Sequence, residues 1–350
     1  MNPSAVLSTA ESIARRSMLE GMLLQPENRR YEAQHAAMGA IFSIAAYAPL
    51  SIALDDAVGR AFAEIDRLDV LMSHYRPNSE ICAINRGAFA APMTVSAELF
   101  ALLEEAFRLS KATDGAFDVT IGALMKSWGF FRRSGRIPTP DELAQTLERT
   151  GFRRVQLEPR TRTISFTNPG IELDLGAIGK GYAVDRAAAV LREQGIDKAL
   201  ISSGTSSIAA LGAPPGQLGW KVALCDPFDR RREARAVRLA NLSISISGGS
   251  EQLFVLDGRV YVHLLDPRSG CPVEGMLMSA VIAAGNAFAD ALSTAFFVLG
   301  ADASRKFLAH NPGLTALLFL PAGGRTVEQI VLASNDATLP EGVYLHMEDE

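Results

Sequence analysis

The chain has 350 residues, of which 48% are hydrophobic and 21% are charged, so it can bury a large core and wholesale disorder is excluded. Its net charge of −5 provides no global basic field for nucleic acid or for an anionic membrane surface, so any phosphate binding must be local. The three cysteines, Cys82, Cys225 and Cys271, lie far apart and form no CxxC pair, which indicates neither a zinc site nor a disulfide framework.

The N-terminal segment is the least regular part of the sequence. We predict an extension at residues 1–35 that forms a loose helix outside the main fold. Residues 14–19 faintly resemble a twin-arginine signal, but the apolar stretch after them is too short for a signal peptide. The uncharged run 36–54 has the length of a membrane span, but Pro49 and polar residues interrupt it. We therefore expect a buried strand at 38–47 and no integral membrane span. The sequence leaves the compartment open.

The remaining elements follow from periodicity, caps and turns. Helices are predicted at 51–73, 80–85, 96–113 with Ser96 as N-cap, 139–150 and 185–194. Strands are predicted at 155–157, 163–166, 198–202, 220–224, 242–247 and 314–319, and a hairpin at 252–256 and 259–264 around Asp257-Gly258.

Helices and hairpins mix along the chain rather than alternate, which predicts an α+β fold. The composition shows no clear linker. We therefore expect one domain at 36–340, or two intimate subdomains within it, and a C-terminal tail at 341–350.

The segment 277–300 passes from an apolar strand into a helix for which Asn286 is the expected N-cap and Gly300 the residue just past the end. Asp290 and Thr294 lie four residues apart on this helix, so their oxygens share one face of an otherwise apolar surface. Burying either group unpaired is costly, and Mg²⁺, which prefers oxygen ligands, would be a suitable partner. The alternative is that Asp290 only meets the positive end of the helix dipole.

A glycine-rich segment runs from Gly176 to Gly181 and contains Lys180. Small residues let backbone groups approach a ligand, and Lys180 supplies a positive charge, with the carboxylate of Asp174 just upstream. The spacing does not match the GxxxxGK[ST] phosphate loop. The alternative is therefore a tight turn with a solvated Lys180.

A second cluster of polar residues occupies 263–270, where one His, one Asp and one Arg fall at a strand end. His263 has the chemistry of a general base near neutral pH, and Arg268 that of a phosphate clamp. The alternative is a turn in which Asp266 caps backbone amides and pairs with Arg268.

Together these segments resemble the ApbE family, the FAD:protein FMN transferases. The resemblance rests on seven segments in the same order along about three quarters of the chain: 38–39, 72–80, 115–122, 174–185, 245–248, 263–270 and 289–295. Each segment alone is a modest signal, but their order and spacing make the set specific.

The resemblance implies an α+β fold with mixed and antiparallel sheets flanked by helices, ApbE-like and T-fold-like. It implies Mg²⁺-dependent transfer of FMN from FAD to a Thr or Ser hydroxyl of an acceptor flavoprotein, with release of AMP. It assigns the metal to the Ala177 carbonyl and the side chains of Asp290 and Thr294, and the base to His263. The implied flavin contacts are Met38, Tyr75, Ala116, Phe117, Asp118, Asp174, Lys180 and Leu265.

Two departures from the family pattern leave the target and the affinity open. Ala40 stands where Thr is usual, and residues 202–207 replace a glycine-rich segment. Two other functions use the same residues. One is an FAD pyrophosphatase that yields free FMN and AMP, and the other is a non-catalytic flavin-binding protein.

Overall fold

The computed structural model describes residues 28–132, 134–249, 251–334 and 342–345. It opens on a hairpin of strand β1 (Asn28–Ala37) and strand β2 (Ala40–Pro49), with Met38 and Gly39 at positive φ in the turn. The predicted loose helix is therefore wrong for residues 28–35, and residues 1–27 lie outside the described part. One face of β1 is exposed to solvent, so the residues that contact the core, such as Tyr31 and Ala33, alternate with polar residues. Because β1 has no continuous apolar run, the sequence did not indicate a strand here.

An eight-stranded antiparallel sheet forms the centre of the fold, in the order β1-β2-β6-β7-β10-β13-β14-β15. Its other strands are β6 (Lys198–Ser203), β7 (Ser207–Leu211), β10 (Ser243–Gly248), β13 (Met278–Ala283), β14 (Thr315–Pro321) and β15 (Val327–Ala333).

The remaining strands form three smaller sheets. They are β3 (Met93–Thr94) with β5 (Thr163–Phe166) and β4 (Val155–Glu158), β8 (Trp220–Asp226) with β9 (Asp229–Leu239) and β16 (Val343–Leu345), and the hairpin β11 (Leu253–Leu256) and β12 (Arg259–Val262). Residues 343–345 thus pair with β9, which corrects the predicted C-terminal tail at those positions.

Seven helices are present in the described part of the chain: α1 (Leu54–Met72), α2 (Glu80–Gly87), α3 (Ala97–Ala112), α4 (Gly122–Ser127), α5 (Pro140–Leu147), α6 (Gly179–Glu193) and α7 (Asn286–Ala309). Helix α6 begins six residues earlier than predicted, so Lys180 lies in its first turn. No helix among the described residues is long and apolar enough to cross a membrane.

Each face of the central sheet has its own core. Helices α1, α3, α6 and α7 pack on one face, and the sheet of β8, β9 and β16 covers the other. Successive side chains of strand β10 point to opposite faces of the sheet. Ile244 and Ile246 contact the core on the side of β8, whereas Ser245 and Ser247 alternate with them and face α7.

The start of α7 differs from the prediction. Asn286 is not the N-cap: it is the first helical residue, and its side-chain amide donates to the Ile208 carbonyl of β7. The carboxylate of Asp185 takes the capping role and accepts the backbone N–H groups of Asn286 and Ala287, each at 2.8 Å. Gly300 has a φ of +73° and interrupts the helix, which then continues to Ala309.

Candidate functional site

One cavity of about 1120 Å³ gathers nearly all the residues that the sequence predicted. Of the thirteen predicted site residues, twelve line it: Met38, Tyr75, Ala116, Phe117, Asp118, Asp174, Ala177, Lys180, His263, Leu265, Asp290 and Thr294. They come from the β1–β2 turn, the loops after α1 and α3, the start of α6, the segment after β12, and α7. Segments that are far apart in sequence therefore build one site.

Asp290 is the most deeply buried charged group of this cavity, with 4% of its surface exposed. One oxygen of the carboxylate, Oδ2, accepts the Gly181 backbone N–H at 2.9 Å, and the other, Oδ1, accepts the Ser245 hydroxyl at 2.8 Å. Burial raises the pKa of Asp290, and the positive charge of Lys180 opposes the rise. No ion pair of the described residues includes Asp290, so its charge is only partly compensated.

The contact between α6 and α7 at this point requires a glycine. A Cβ atom on Gly181 would lie 2.5 Å from the Asn286 carbonyl oxygen and 2.7 Å from the Cβ of Asp290. Because Gly181 has no side chain, its N–H can reach the carboxylate directly. Ala177 lies in the turn that leads into α6, so the glycine-rich segment and Asp290 are held together as the sequence predicted.

Thr294 lies one helical turn after Asp290 and has its own polar partner. Its hydroxyl lies 3.0 Å from the Ser247 Oγ, which is also 2.8 Å from the Ser293 Oγ. Ser245 and Ser247 of β10 thus face Asp290 and Thr294 of α7. The only sequence signal for these serines was the family resemblance of segment 245–248.

This donor set fits a hard cation. A carboxylate with no ionic partner, a hydroxyl and the nearby Ala177 carbonyl are the oxygen ligands that Mg²⁺ takes, with waters completing its shell. Among the described residues, no group of three or more His, Cys, Asp or Glu side chains could hold a metal ion. The oxygen-rich surroundings of Asp290 therefore favour Mg²⁺ over a metal that prefers nitrogen or sulfur.

His263 directly follows β12 and is oriented by one hydrogen bond. Its Nδ1 lies 3.0 Å from the Gln252 carbonyl oxygen, which can only accept, so Nδ1 carries the proton in the neutral ring. The Nε2 atom then keeps its lone pair. Burial lowers the pKa of His263, so the ring is neutral at pH 7 and has the form that a general base needs.

His74 was missed in the sequence, although it is buried beside the cavity. Its Nε2 lies 3.3 Å from Glu172 Oε2 and its Nδ1 lies 3.4 Å from Asp174 Oδ2. Burial alone would lower the pKa of His74, but the hydrogen bonds to Asp174 and Glu172 outweigh it and raise the pKa to about 9. Nothing in the local sequence signals this role, because both partners lie about 100 residues away.

An aromatic pair lines the cavity near His74. The rings of Tyr75 and Phe131 stack with their centroids 4.7 Å apart and their planes inclined by 10°. Tyr75 is 67% exposed, so a flat face is available to a ligand ring. Phe131 was not predicted; the only sequence signal was its place in an aromatic stretch with Trp128 and Phe130.

Two predicted flavin-site residues have structural roles. The carboxylate of Asp118 accepts the Thr120 and Phe152 backbone N–H groups and the Thr120 hydroxyl, which fixes its own loop. Arg268 does not line the cavity. Its guanidinium forms two hydrogen bonds of 2.8 Å with Asp266, which is the alternative arrangement expected for this turn, and a role as a phosphate clamp stays a prediction.

Comparisons with known proteins show the family of this chain. The sequence pattern of the ApbE family matches residues 38–318. A Treponema pallidum protein named FAD:protein FMN transferase is 32% identical over 309 residues, which cover 84% of this chain and 85% of that protein. A Salmonella typhimurium protein of the same name is 31% identical over 266 residues, which cover 74% of this chain and 75% of that one.

Solved structures extend the likeness to the fold. The crystal structure of the ApbE protein from Thermotoga maritima matches with a TM-score of 0.79 and 29% identity, over 86% of this chain and 97% of that one. The flavin transferase ApbE from Vibrio cholerae matches with a TM-score of 0.78 and 26% identity, over 88% of this chain and 98% of that one. The predicted α+β class is confirmed, and this chain belongs to the ApbE family.

Proposed function

We propose that this protein transfers the FMN part of FAD to a Ser or Thr hydroxyl of an acceptor protein, in a Mg²⁺-dependent reaction that releases AMP. The observation that carries the proposal is the pairing, in one cavity, of a buried carboxylate without an ionic partner, Asp290, and a neutral histidine, His263. Relatives named FAD:protein FMN transferase support the choice of donor and of a protein acceptor.

The chain supplies distinct groups for each part of the substrate. Asp290, Thr294 and the Ala177 carbonyl would hold Mg²⁺, which when bound offsets the negative charge of the pyrophosphate. Lys180, in the first turn of α6, lines the same cavity and would add a positive charge beside these phosphates. Tyr75 offers a flat aromatic face to one of the ring systems of FAD.

The reaction joins the acceptor oxygen to the phosphorus of the FMN half and breaks the bond between the two phosphates. AMP leaves with the bonding electron pair. The hydroxyl is a poor nucleophile and must lose its proton as it attacks, and Nε2 of His263 accepts that proton. The Gln252 carbonyl keeps the ring in the tautomer that leaves Nε2 free for this step.

Mass spectrometry of an acceptor protein incubated with FAD, Mg²⁺ and this enzyme tests the proposal. The expected products are a covalent FMN adduct and AMP. Free FMN and AMP without an adduct would instead indicate an FAD pyrophosphatase. FAD that stays bound and intact, at the same level in the wild type and in His263→Ala, would indicate a binding protein.

A further inference from the structure

His74 forms the centre of a buried charge cluster that the proposed reaction does not use. Only 5% of its side-chain surface is exposed, and each ring nitrogen faces one carboxylate, Glu172 or Asp174. Lys126 completes the cluster with its Nζ 2.6 Å from Glu172 Oε2. With a protonated ring the cluster holds two positive and two negative charges, so it is balanced without any ligand.

One of the two carboxylates connects the cluster to the glycine-rich segment. Asp174 Oδ2 faces His74, and Asp174 Oδ1 accepts the Gly176 backbone N–H at 2.8 Å. That hydrogen bond closes the turn that carries Ala177 toward the start of α6. The orientation of the Asp174 carboxylate therefore determines the path of the backbone beside the predicted metal site.

The ring of His74 also supports the aromatic pair. Its centroid lies 5.0 Å from that of Phe131 at an inclination of 57°, and 6.2 Å from that of Tyr75. Lys126, which pairs with Glu172, lies over the Phe131 ring at 5.1 Å. A single buried side chain thus contacts both the turn at Asp174 and the flat surface offered to a ligand.

We propose that His74 is a positioning residue for FAD, which holds the Asp174 turn and the Tyr75–Phe131 pair at the separation that the bound nucleotide requires. His74 is part of the cavity wall, but only 5% of its side chain is exposed and each ring nitrogen faces a carboxylate, so it acts through Asp174 and the aromatic pair rather than on the reacting atoms. The inference rests on the proposed function for the identity of the ligand. Its energetic origin is the pairing of a charged imidazole with two carboxylates in a partly buried site.

The titratable groups that face His74 come from three segments. Glu172 and Asp174, from the chain before α6, face the ring directly. Lys126 of α4 acts indirectly, because it pairs with Glu172. The thiol of Cys82, in α2, donates to the His74 carbonyl. Cys82 contacts only the backbone of His74. The two carboxylates therefore decide the charge of the ring, and substitution of His74 acts on both of them.

The test compares His74→Gln with the wild type in FAD binding, measured by flavin fluorescence, and in transfer kinetics. We expect FAD affinity to fall and the KM for FAD to rise about 10- to 100-fold, the size typical of a lost supporting hydrogen bond. At saturating FAD, kcat should change by less than about threefold, because the groups that move the proton and hold the metal remain.

His35→Gln is the matched control. His35 also pairs with one carboxylate, Asp66 Oδ1 at 2.7 Å, and stacks on an aromatic ring, Phe62 at 5.1 Å. It does not line the cavity, so its substitution should leave FAD affinity unchanged. A general loss of stability would affect both variants, whereas a positioning role affects only His74.

Unchanged FAD affinity in His74→Gln, or a kcat that falls while KM stays constant, would overturn the inference. If that variant does not fold, ring-¹⁵N NMR of the wild type decides: the His74 ring should be protonated at pH 8, and a neutral ring would overturn the inference. If the wild type binds FAD but transfers no FMN, the proposed function is wrong. The inference about His74 can still be tested in that case, by comparing the FAD affinity of His74→Gln with that of the wild type.

Discussion

Asp290 and His74 are both buried ionisable groups beside one cavity, yet their surroundings differ in charge. Asp290 has hydrogen-bond donors, Gly181 and Ser245, but no ionic partner among the described residues. His74 has two carboxylates, and Lys126 balances the second one. The first site keeps a negative charge that is only partly compensated, whereas the second is neutral as a whole.

This difference separates a site that requires a ligand from one that is complete without it. A buried charge without a partner is costly, so a protein that retains one has a use for it. A charge cluster that is already balanced stabilises a local arrangement and needs nothing from solution. Substitutions at the two sites, and at matched control positions, test that contrast.

Substitution Asp290→Asn should have the largest effect. It keeps the shape of the side chain but removes the charge that would hold Mg²⁺, so transfer of FMN should fall by at least about 10²- to 10³-fold. The loss of transfer is measured as the rate of AMP release at a saturating concentration of the acceptor protein.

Asp185→Asn provides the comparison for that variant. Asp185 is a half-buried carboxylate that accepts two backbone N–H groups at the start of α7. The loss of this cap should cost about 1 kcal/mol of stability and leave transfer nearly intact below the melting temperature. Equal losses of transfer in the two variants would remove the distinction between the sites.

His263→Gln should reduce transfer by about 10²-fold and leave FAD binding unchanged, because the base acts on the acceptor proton. In the wild type, burial lowers the pKa of His263, so transfer should stay constant through neutral pH. It should decline only when the pH falls below the ordinary histidine value of about 6.5. An acid limb centred above pH 7 would contradict the assignment.

Gly181→Ala tests the close contact that brings the amide to Asp290. The new Cβ would meet the backbone of α7, so the helices must separate, at a cost of about 1–3 kcal/mol in unfolding free energy. Mg²⁺ affinity should fall as well.

Gly59→Ala is the control for this substitution. Gly59 lies in α1, and a Cβ there meets nothing within 4 Å. The substitution should raise the free energy of unfolding by about 0.5–1 kcal/mol. Denaturant melts of both variants decide whether the effect is local to the contact between α6 and α7.

The stability of the protein should also depend on pH through His74. Because the pKa of His74 rises from about 6.5 in the unfolded chain to about 9 in the fold, its contribution is complete below pH 6.5. It is lost as the pH rises through 9. After solvent screening we expect a decline of about 1–2 kcal/mol across this range, absent in His74→Gln. A parallel decline in both proteins would assign it to other groups.

The sequence predicted local features well. Ser96 caps its helix as expected, with a hydroxyl that accepts the Leu99 N–H. The helix predicted from residue 139 is present, and the Thr139 hydroxyl caps it by accepting the Glu142 N–H. The Asp257-Gly258 turn joins β11 and β12. These signals lie within four residues of the structure they determine, so a single sequence is sufficient to read them.

Features that depend on distant partners could not be read in this way. Asp185 caps a helix 101 residues away, so the local signal at Asn286 was misleading. Strand β9 was not predicted. It contains five arginines and only its C-terminal end is buried, so its sequence lacks the apolar alternation that indicates a strand. His74 gains its charge from residues about 100 positions away, which only the folded chain brings together.

The site residues were predicted mainly through their resemblance to a family, and the structure adds their physical relation. It brings twelve of the thirteen to one cavity and places Arg268 outside its lining, paired with Asp266 two residues away. It also adds His74 and Phe131.

The central claim is that Asp290 holds a divalent cation beside the glycine-rich turn. Titration of the FAD-bound protein with Mn²⁺, a paramagnetic substitute for Mg²⁺, followed by electron paramagnetic resonance, tests it most directly. The wild type should bind a single tight Mn²⁺ that Mg²⁺ displaces, and Asp290→Asn should lose this binding while Asp185→Asn keeps it. Equal binding by the wild type and Asp290→Asn would contradict the claim.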